Sequence, residues 1–326
     1  MRMDGRRIAS RVARKVPVVR SLIADRDQLR ARVKRLEREL SAARGELEHA
    51  RVESEPPREA DLFPPGHYYS PIPSIPDVLE EQGRIWRPRA SLPGIRLDGD
   101  AQLNQLAAIA SAQPIPGEPR YRPDNDFFSW GDGVVLRGML AVHRPRRIIE
   151  VGSGWSSALI LDTREALADW DPSLVLIEPH PERLHGLLRG DERGSITIHE
   201  KRVQDVDLSV MTALQEGDVL FIDSTHVSKV GSDVNLLLLD VLPQLRSGVF
   251  VHIHDVFWPF EYPKAWVEEG RYWNEDYLIR AILSENPRWA IEVFNDWLAQ
   301  ERRSEAAALS PDWAKNPGGS LWLRRR

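Results

Sequence analysis

The sequence predicts an α/β fold built on a mostly parallel sheet, on three observations. From Asp126 onward, apolar runs of strand length alternate with helical segments. The first of these runs ends in two closely spaced glycines, and later runs end in acidic residues. Fully apolar strands joined through helices belong to sheets covered on both faces, whose ligands bind beyond the carboxyl ends of the strands.

In chain order, DFFSWGDGVVLRGMLAVH (126–143) has a helical pattern and leads to the strand RIIEV (147–151). A helix from Trp155 precedes the strand LVLIE (174–178), and PERLHGLL is a helix before ITIHE (196–200). A short helix leads to VLFID (219–223), and DVNLLLLDVLPQL leads to GVFVHIH (248–254). An aromatic block follows, then the helix NEDYLIRAIL and the strands AIEVF (290–294) and SLWLRR (320–325). The link between these last two strands reads as loop, so they are expected to pair antiparallel at one edge.

Ahead of this region the chain changes character twice. From Val19 to Ala50 the apolar residues keep heptad spacing, with Val33, Leu40 and Leu47 as a and Leu22, Leu29, Leu36, Ala43 and Ala50 as d, and with Arg26 interrupting the a series. In a parallel dimer each g residue faces the e residue five positions later on the partner. The pairs Asp25–Arg30, Arg32–Glu37, Glu39–Arg44 and Glu46–Arg51 are all opposite in sign. A parallel coiled coil, and hence a homodimer, is expected over 19–52, behind a basic head at 1–18. Residues 53–125, opening with a proline-rich stretch, are expected to be a linker and arm packing on the catalytic domain of 126–326. The rings of Tyr68 and Tyr69 are large for a spacer and are candidates for an acceptor pocket.

Composition narrows the function classes. Cysteine is absent, so disulfides and thiolate metal sites are excluded. No apolar run approaches the ~20 residues of a membrane helix, and the N-terminus lacks a cleavage signal, so a cytoplasmic protein is expected. Residues 1–51 carry 15 basic against 7 acidic side chains, the remainder 29 against 42. The acidic body argues against nucleic acid as a partner. The basic head offers a peripheral contact to anionic lipid, with a solvated tail as the alternative.

The first strand ends in EVGSGWSS (150–157), and the second ends in Glu178. A dinucleotide fingerprint would need a third glycine where the chain has Ser157. With the seven-strand pattern, these features resemble the class I S-adenosylmethionine-dependent methyltransferases, with a Rossmann-like seven-stranded sheet whose last strand is antiparallel. The resemblance implies that Gly152, Ser153 and Gly154 lie against the methionine part of the cofactor. It further implies that Glu178 binds the ribose hydroxyls, that Gln204 and Asp205 flank the adenine, and that Glu150 orients the methionine amine, with Asp223 bordering the same cofactor. The segments GHYYSPIPS and HDVFWPFEYP look like a bacterial subgroup of small-molecule methyltransferases.

The acceptor chemistry is read from the ends of strands four and five. Amino-directed nucleic-acid methyltransferases carry an Asp/Asn-Pro-Pro-aromatic motif after strand four, whereas this chain has Asp223-Ser224-Thr225-His226. A hydroxyl of a small molecule or glycan is therefore the expected acceptor, and its proton must be removed. Asp223 and Asp255 are similar to the acids of the divalent-metal site in catechol-type and macrolide-sugar O-methyltransferases. The third ligand that follows there is Val256 here, and His226 or His254 could stand in, which favours manganese, iron or zinc over magnesium. The competing scheme makes His254 the general base and leaves His252 hydrogen-bonded in the core. The block from Phe257 to Tyr277, within an insertion over 256–278, either walls an acceptor pocket through Phe257, Trp258 and Tyr262 or forms the insertion's own core. Two other readings stay open: a nicotinamide-dependent oxidoreductase, and a non-catalytic coiled-coil scaffold that keeps the fold.

Overall fold

The computed structural model describes residues 32, 63–111, 115, 117–190 and 192–326. The chain divides into two compact units, Met1–Pro71 and Ile72–Arg326. In the first, Arg32 is helical; the basic head and the rest of the expected coiled coil lie outside the described residues. Its described end carries a ring cluster in which Tyr68 and Tyr69 lie 4.2 Å apart and His67 stacks on Phe63 at 4.8 Å.

The second unit opens with α1 (Ile75–Glu80), α2 (Gln82–Ile85) and α3 (Gly99–Ala110), followed by α4 (Trp130–His143). The alternation then runs β1 (Arg147–Val151), α5 (Trp155–Ala166), β2 (Ser173–Ile177), α6 (Glu182–Leu187), β3 (Thr197–His199), α7 (Ser209–Thr212) and β4 (Val219–Ile222). The segment expected as one helix before strand five starts as α8 (Asp233–Asn235) and continues as a π-helix over Leu236–Val241 and a 3₁₀ turn over Leu242–Gln244. After β5 (Phe250–Ile253) come α9 (Lys264–Glu268), α10 (Glu275–Leu283), β6 (Trp289–Phe294), α11 (Asn295–Glu301), α12 (Arg303–Leu309) and β7 (Leu321–Arg325).

The seven strands form one sheet in the order β3-β2-β1-β4-β5-β7-β6. The first five are parallel, and β7 runs antiparallel between β5 and β6. This is the expected mostly parallel sheet with an antiparallel last strand. Every residue of β4 and β5 is buried, which is why their sequences are continuous apolar runs without alternation.

Two elements differ from expectation. Helix α3 lies inside the stretch read as linker and arm. Asp98 caps it, its Oδ1 accepting from the Ala101 N–H at 2.9 Å, and Gln102, Leu106 and Ile109 are buried on one face. Its partner α4 comes so close that a Cβ on Gly138 would stand 2.5 Å from the Ile109 carbonyl oxygen. Only glycine permits that approach. The β6–β7 link, read as loop, contains α11 and α12, which bury Trp297, Leu298 and Ala306. Its prolines and glycines are confined to the last part, from Pro311 to Gly319.

His252 ties β5 to the first turn of α4. Its Nε2 lies 2.9 Å from Ser320 Oγ, which donates to Asp132 Oδ1 at 2.7 Å. All three side chains are buried. Burial holds His252 well below the usual imidazole range, so it is neutral and donates through Nε2. This is the core role expected for it. Substituting Ser320→Ala leaves a buried N–H without an acceptor and should destabilise the fold by about 1–3 kcal/mol, read as a lower urea midpoint at unchanged slope.

Candidate active site

The parallel register aligns the strand ends. Val151 pairs with Ile177 on one side and Ile222 on the other, and Ile222 pairs with Ile253. One residue further, Gly152, Glu178, Asp223 and His254 stand in a row along the rim. The ladder continues to hold them: Gly152 N–H donates to Ile177 O, Asp223 N–H to Val151 O and His254 N–H to Ile222 O. Gly152 has φ 82°. A Cβ there would lie 1.7 Å from the Asp223 carbonyl oxygen, so the position admits no other residue.

Behind this turn runs a chain of hydrogen bonds. The Gly154 N–H donates to Ser157 Oγ at 3.0 Å, and Ser157 Oγ donates to Glu150 Oε2. Glu150 is fully buried, and its Oε1 makes no hydrogen bond. Burial pushes this carboxyl up to about 8 against the pull of the neighbouring serine hydroxyls. Glu178 closes the other side of the turn: one oxygen accepts from Ser153 N–H at 3.0 Å and the other from His180 N–H at 2.8 Å. In the loop after β3, Gln204 reaches the Gly231 carbonyl, and Asp205 is exposed and paired with Arg202.

At the ends of β4 and β5 the structure gathers Asp223, His226, His254 and Asp255, joined by Glu275 from α10. His226 Nδ1 donates to Glu275 Oε2 at 2.9 Å, while its Nε2 lies 3.5 Å from Asp223 and 3.9 Å from Asp255. The His226 carbonyl accepts the N–H groups of Asn274 and Glu275, clamping the β4 loop to the start of α10. His254 Nε2 lies 3.2 Å from the Phe127 carbonyl oxygen and 3.4 Å from Asp255. His226 and Asp255 both have positive φ, 58° and 55°, a strained conformation for such residues.

The charges follow from this packing. Burial alone would lower His226, but Asp223 and Glu275 raise it well above the usual imidazole range. His254 is likewise pushed up to about 9 by Asp255, Asp223 and Asp132, against burial. Burial would raise Asp223, yet His254 and His226 hold it below the ordinary carboxylate range, whereas burial leaves Asp255 raised. Two imidazoles raised by neighbouring acids thus face two carboxyl groups. The expected metal set of Asp223, Asp255 and His226 is not gathered as ligands around one point: His226 Nδ1 is hydrogen-bonded to Glu275, and its Nε2 lies 3.5 Å from Asp223 and 3.9 Å from Asp255. Among the described residues no group of three or more His, Asp or Glu side chains could hold a metal ion.

A family model described as a methyltransferase domain matches residues 149–256, from within β1 to just past β5. An uncharacterized protein of Archaeoglobus fulgidus is 34% identical over 170 residues, which cover 48% of this chain and 75% of that protein. The chain belongs to the class I S-adenosylmethionine-dependent methyltransferases. Solved structures similar to it include an SAH-bound methyltransferase of Podospora anserina, at 15% identity and a TM-score of 0.39, covering 70% of this chain and 88% of that one. Another is the O-methyltransferase TomG of Streptomyces achromogenes in complex with SAM, at 18% identity and a TM-score of 0.38, covering 71% and 91%. Membership replaces the oxidoreductase reading. Among the described residues no helix of the methyltransferase is long and apolar enough to cross a membrane.

The cradle fits the cofactor of this family. Glu150 Oε1 is an unpaired, buried carboxyl oxygen beside the turn, suited to the amine of a methionine moiety, whose positive charge would favour the ionised form. Each Glu178 oxygen keeps a lone pair for a ribose hydroxyl.

The aromatic block divides between the two expected roles. Trp258 and Tyr262 are buried and held by their neighbours: Trp258 Nε1 donates to Arg89 O, and Tyr262 O accepts from Trp86. Their rings belong to the core of the insertion, which corrects their placement in an acceptor wall. Phe257 is half-buried and meets Trp266 edge-on at 5.0 Å. Trp273, also half-buried, lies 4.4 Å from the His226 ring. Tyr68 and Tyr69 belong to the unit that ends at Pro71.

Sequence reading missed Glu275 and Asp132. An acid in a first helical turn is ordinary, so Glu275 carried no signal. Asp132, a charge between two glycines on the buried face of α4, carried one.

Two outcomes test this geometry. Because folding raises the Glu150 pKa, its contribution to ligand-free stability is greatest below the usual carboxylate range and is lost as pH rises to about 8. Urea midpoints of Glu150→Gln should therefore gain on wild type between pH 5 and 8. Gly152→Ala should abolish cofactor binding in calorimetry, or prevent folding outright.

Proposed function

We propose that this methyltransferase transfers the methyl group of S-adenosylmethionine to a hydroxyl of a small molecule or glycan. One observation carries the reading. The cofactor turn at Gly152 touches the Asp223 backbone, so the cradle shares a wall with a cluster of acids and imidazoles able to move a proton. Bound S-adenosylmethionine supplies a methyl group that is already electrophilic, so the chain has to align the hydroxyl and take its proton.

Asp255 is the proton acceptor in this scheme. Its side chain keeps 19% exposure, and that of Asp223 keeps 32%, while His226 and His254 are almost covered. A hydroxyl entering the rim therefore meets carboxylate oxygens first. As the carbon–oxygen bond forms and the carbon–sulfur bond breaks, the hydroxyl proton passes to Asp255. His254 and His226 hold Asp255 in place and favour its ionised form against burial. Asp223, kept charged by both imidazoles, orients the acceptor, and the rings of Phe257 and Trp273 wall it. We also propose that residues 19–52 pair two copies of the chain in parallel.

Methyl transfer from radiolabelled cofactor to panels of phenols, sugars and glycans tests the scheme. Asp255→Asn should lower kcat by roughly 10²–10⁴-fold with product affinity nearly unchanged. The pH–rate profile should rise above the ordinary carboxylate range and fall near pH 9 as His254 loses its proton. His254→Gln should remove the alkaline limb. Activity lost to EDTA and restored by a divalent ion would move proton removal to a metal and overturn the role given to Asp255.

A further inference from the structure

Arg183 is unlike the other arginines around the cofactor cradle. It lies on α6, five residues beyond Glu178. A Cβ built on Gly154 would lie 3.3 Å from Arg183 Cδ and 3.8 Å from its Nη1, so the side chain runs against the glycine turn. Its guanidinium carbon stands 4.0 Å from the centroid of the Phe127 ring. Among the described residues it has no hydrogen bond and no ion pair. The neighbouring Arg120, Arg164 and Arg189 each reach Glu165 or Glu192.

The platform under this cation is anchored. Asn125 Oδ1 accepts from the Phe127 and Phe128 N–H groups at 2.9 and 2.7 Å. The Phe127 carbonyl faces His254 Nε2. The Phe127 ring itself is 59% exposed, so stacking orients the guanidinium without neutralising it. An unpaired planar fork held against a ligand-binding turn suits a carboxylate, which it can grip with two parallel bonds.

We propose that Arg183 binds the α-carboxylate of the cofactor's methionine moiety, opposite the amine taken by Glu150. The assignment rests on the S-adenosylmethionine reading of the cradle. It gives the methionine end two partners of opposite charge across one turn, Glu150 beneath and Arg183 above. An amino-acid tail is then distinguished from a tail that lacks either charge.

Calorimetry with two ligands tests this: S-adenosylhomocysteine, and its decarboxylated analogue, which keeps the amine. Arg183→Gln should weaken S-adenosylhomocysteine by roughly tenfold to a hundredfold and leave the analogue within about twofold, the pattern of a direct pairwise interaction. Arg183→Lys, which keeps the charge and loses the fork, should fall between. Equal weakening of both ligands would mean that Arg183 only shapes the pocket, and no weakening of either would remove it from the site; both results overturn the proposal. Analogue binding also reports that the variant is folded. If wild-type protein binds neither ligand, the cofactor reading itself fails, independently of Arg183.

Discussion

The backbone contact between Gly152 and Asp223 is the constraint on which the site depends. It places the turn after β1 directly against the end of β4, with no space for a side chain between them. The parallel ladder carries the same alignment outward to Glu178 on one side and His254 on the other. A rim assembled this way is stiff, because each functional residue follows a strand whose neighbours are buried and hydrogen-bonded. The glycine turn and the acid–imidazole cluster cannot shift independently. That suits a reaction whose main requirement is alignment.

Charge is organised on the same rim by mutual compensation. Asp223, Asp255 and Glu275 surround His226, and His254 completes the set against Asp255. A buried cluster of this kind is costly when any one member is removed, because its partners are left desolvated and unpaired. His226 and Asp255 are also held with positive φ, each at a cost of about 1–3 kcal/mol. The clamp of the His226 carbonyl on α10 is what maintains that conformation on the β4 side. The aromatic insertion thus serves the site through its backbone and Glu275 as much as through its rings.

How much was legible in the sequence follows the physics of each element. β1, β2, β4 and β5 were legible because strands buried on both faces must be apolar throughout. The glycine turn and the acid at 178 were legible because close approach demands particular residue types. Helix α3 was not, since its buried face holds Gln102 and two aliphatics within a polar run. Nor were α11 and α12, whose helical residues precede a cluster of prolines and glycines that dominates a local reading. Side-chain direction was the other loss. Asp223, His226, His254 and Asp255 were expected at the rim, but their pairing depends on rotamers and on Glu275, which arrives from 49 residues beyond His226. Trp258 and Tyr262 show the reverse: aromatic content suggested a pocket wall, and packing made them core.

The placement of β7 also bears on how the molecule assembles. β1 pairs with β2 across 26 residues and β4 with β5 across 31, but β1 and β4 meet across 71, from Ile148 to Val219. β5 takes one edge from β4 but obtains its other edge from β7, and the His252–Ser320 contact closes a span of 68 residues. Loop closure on that scale slows folding. The strand that carries His254 and leads to Asp255 therefore takes its second neighbour from beyond β6, α11 and α12, so the glycine turn against β4 and the acid–imidazole cluster beside β5 both rest on closures of about this length.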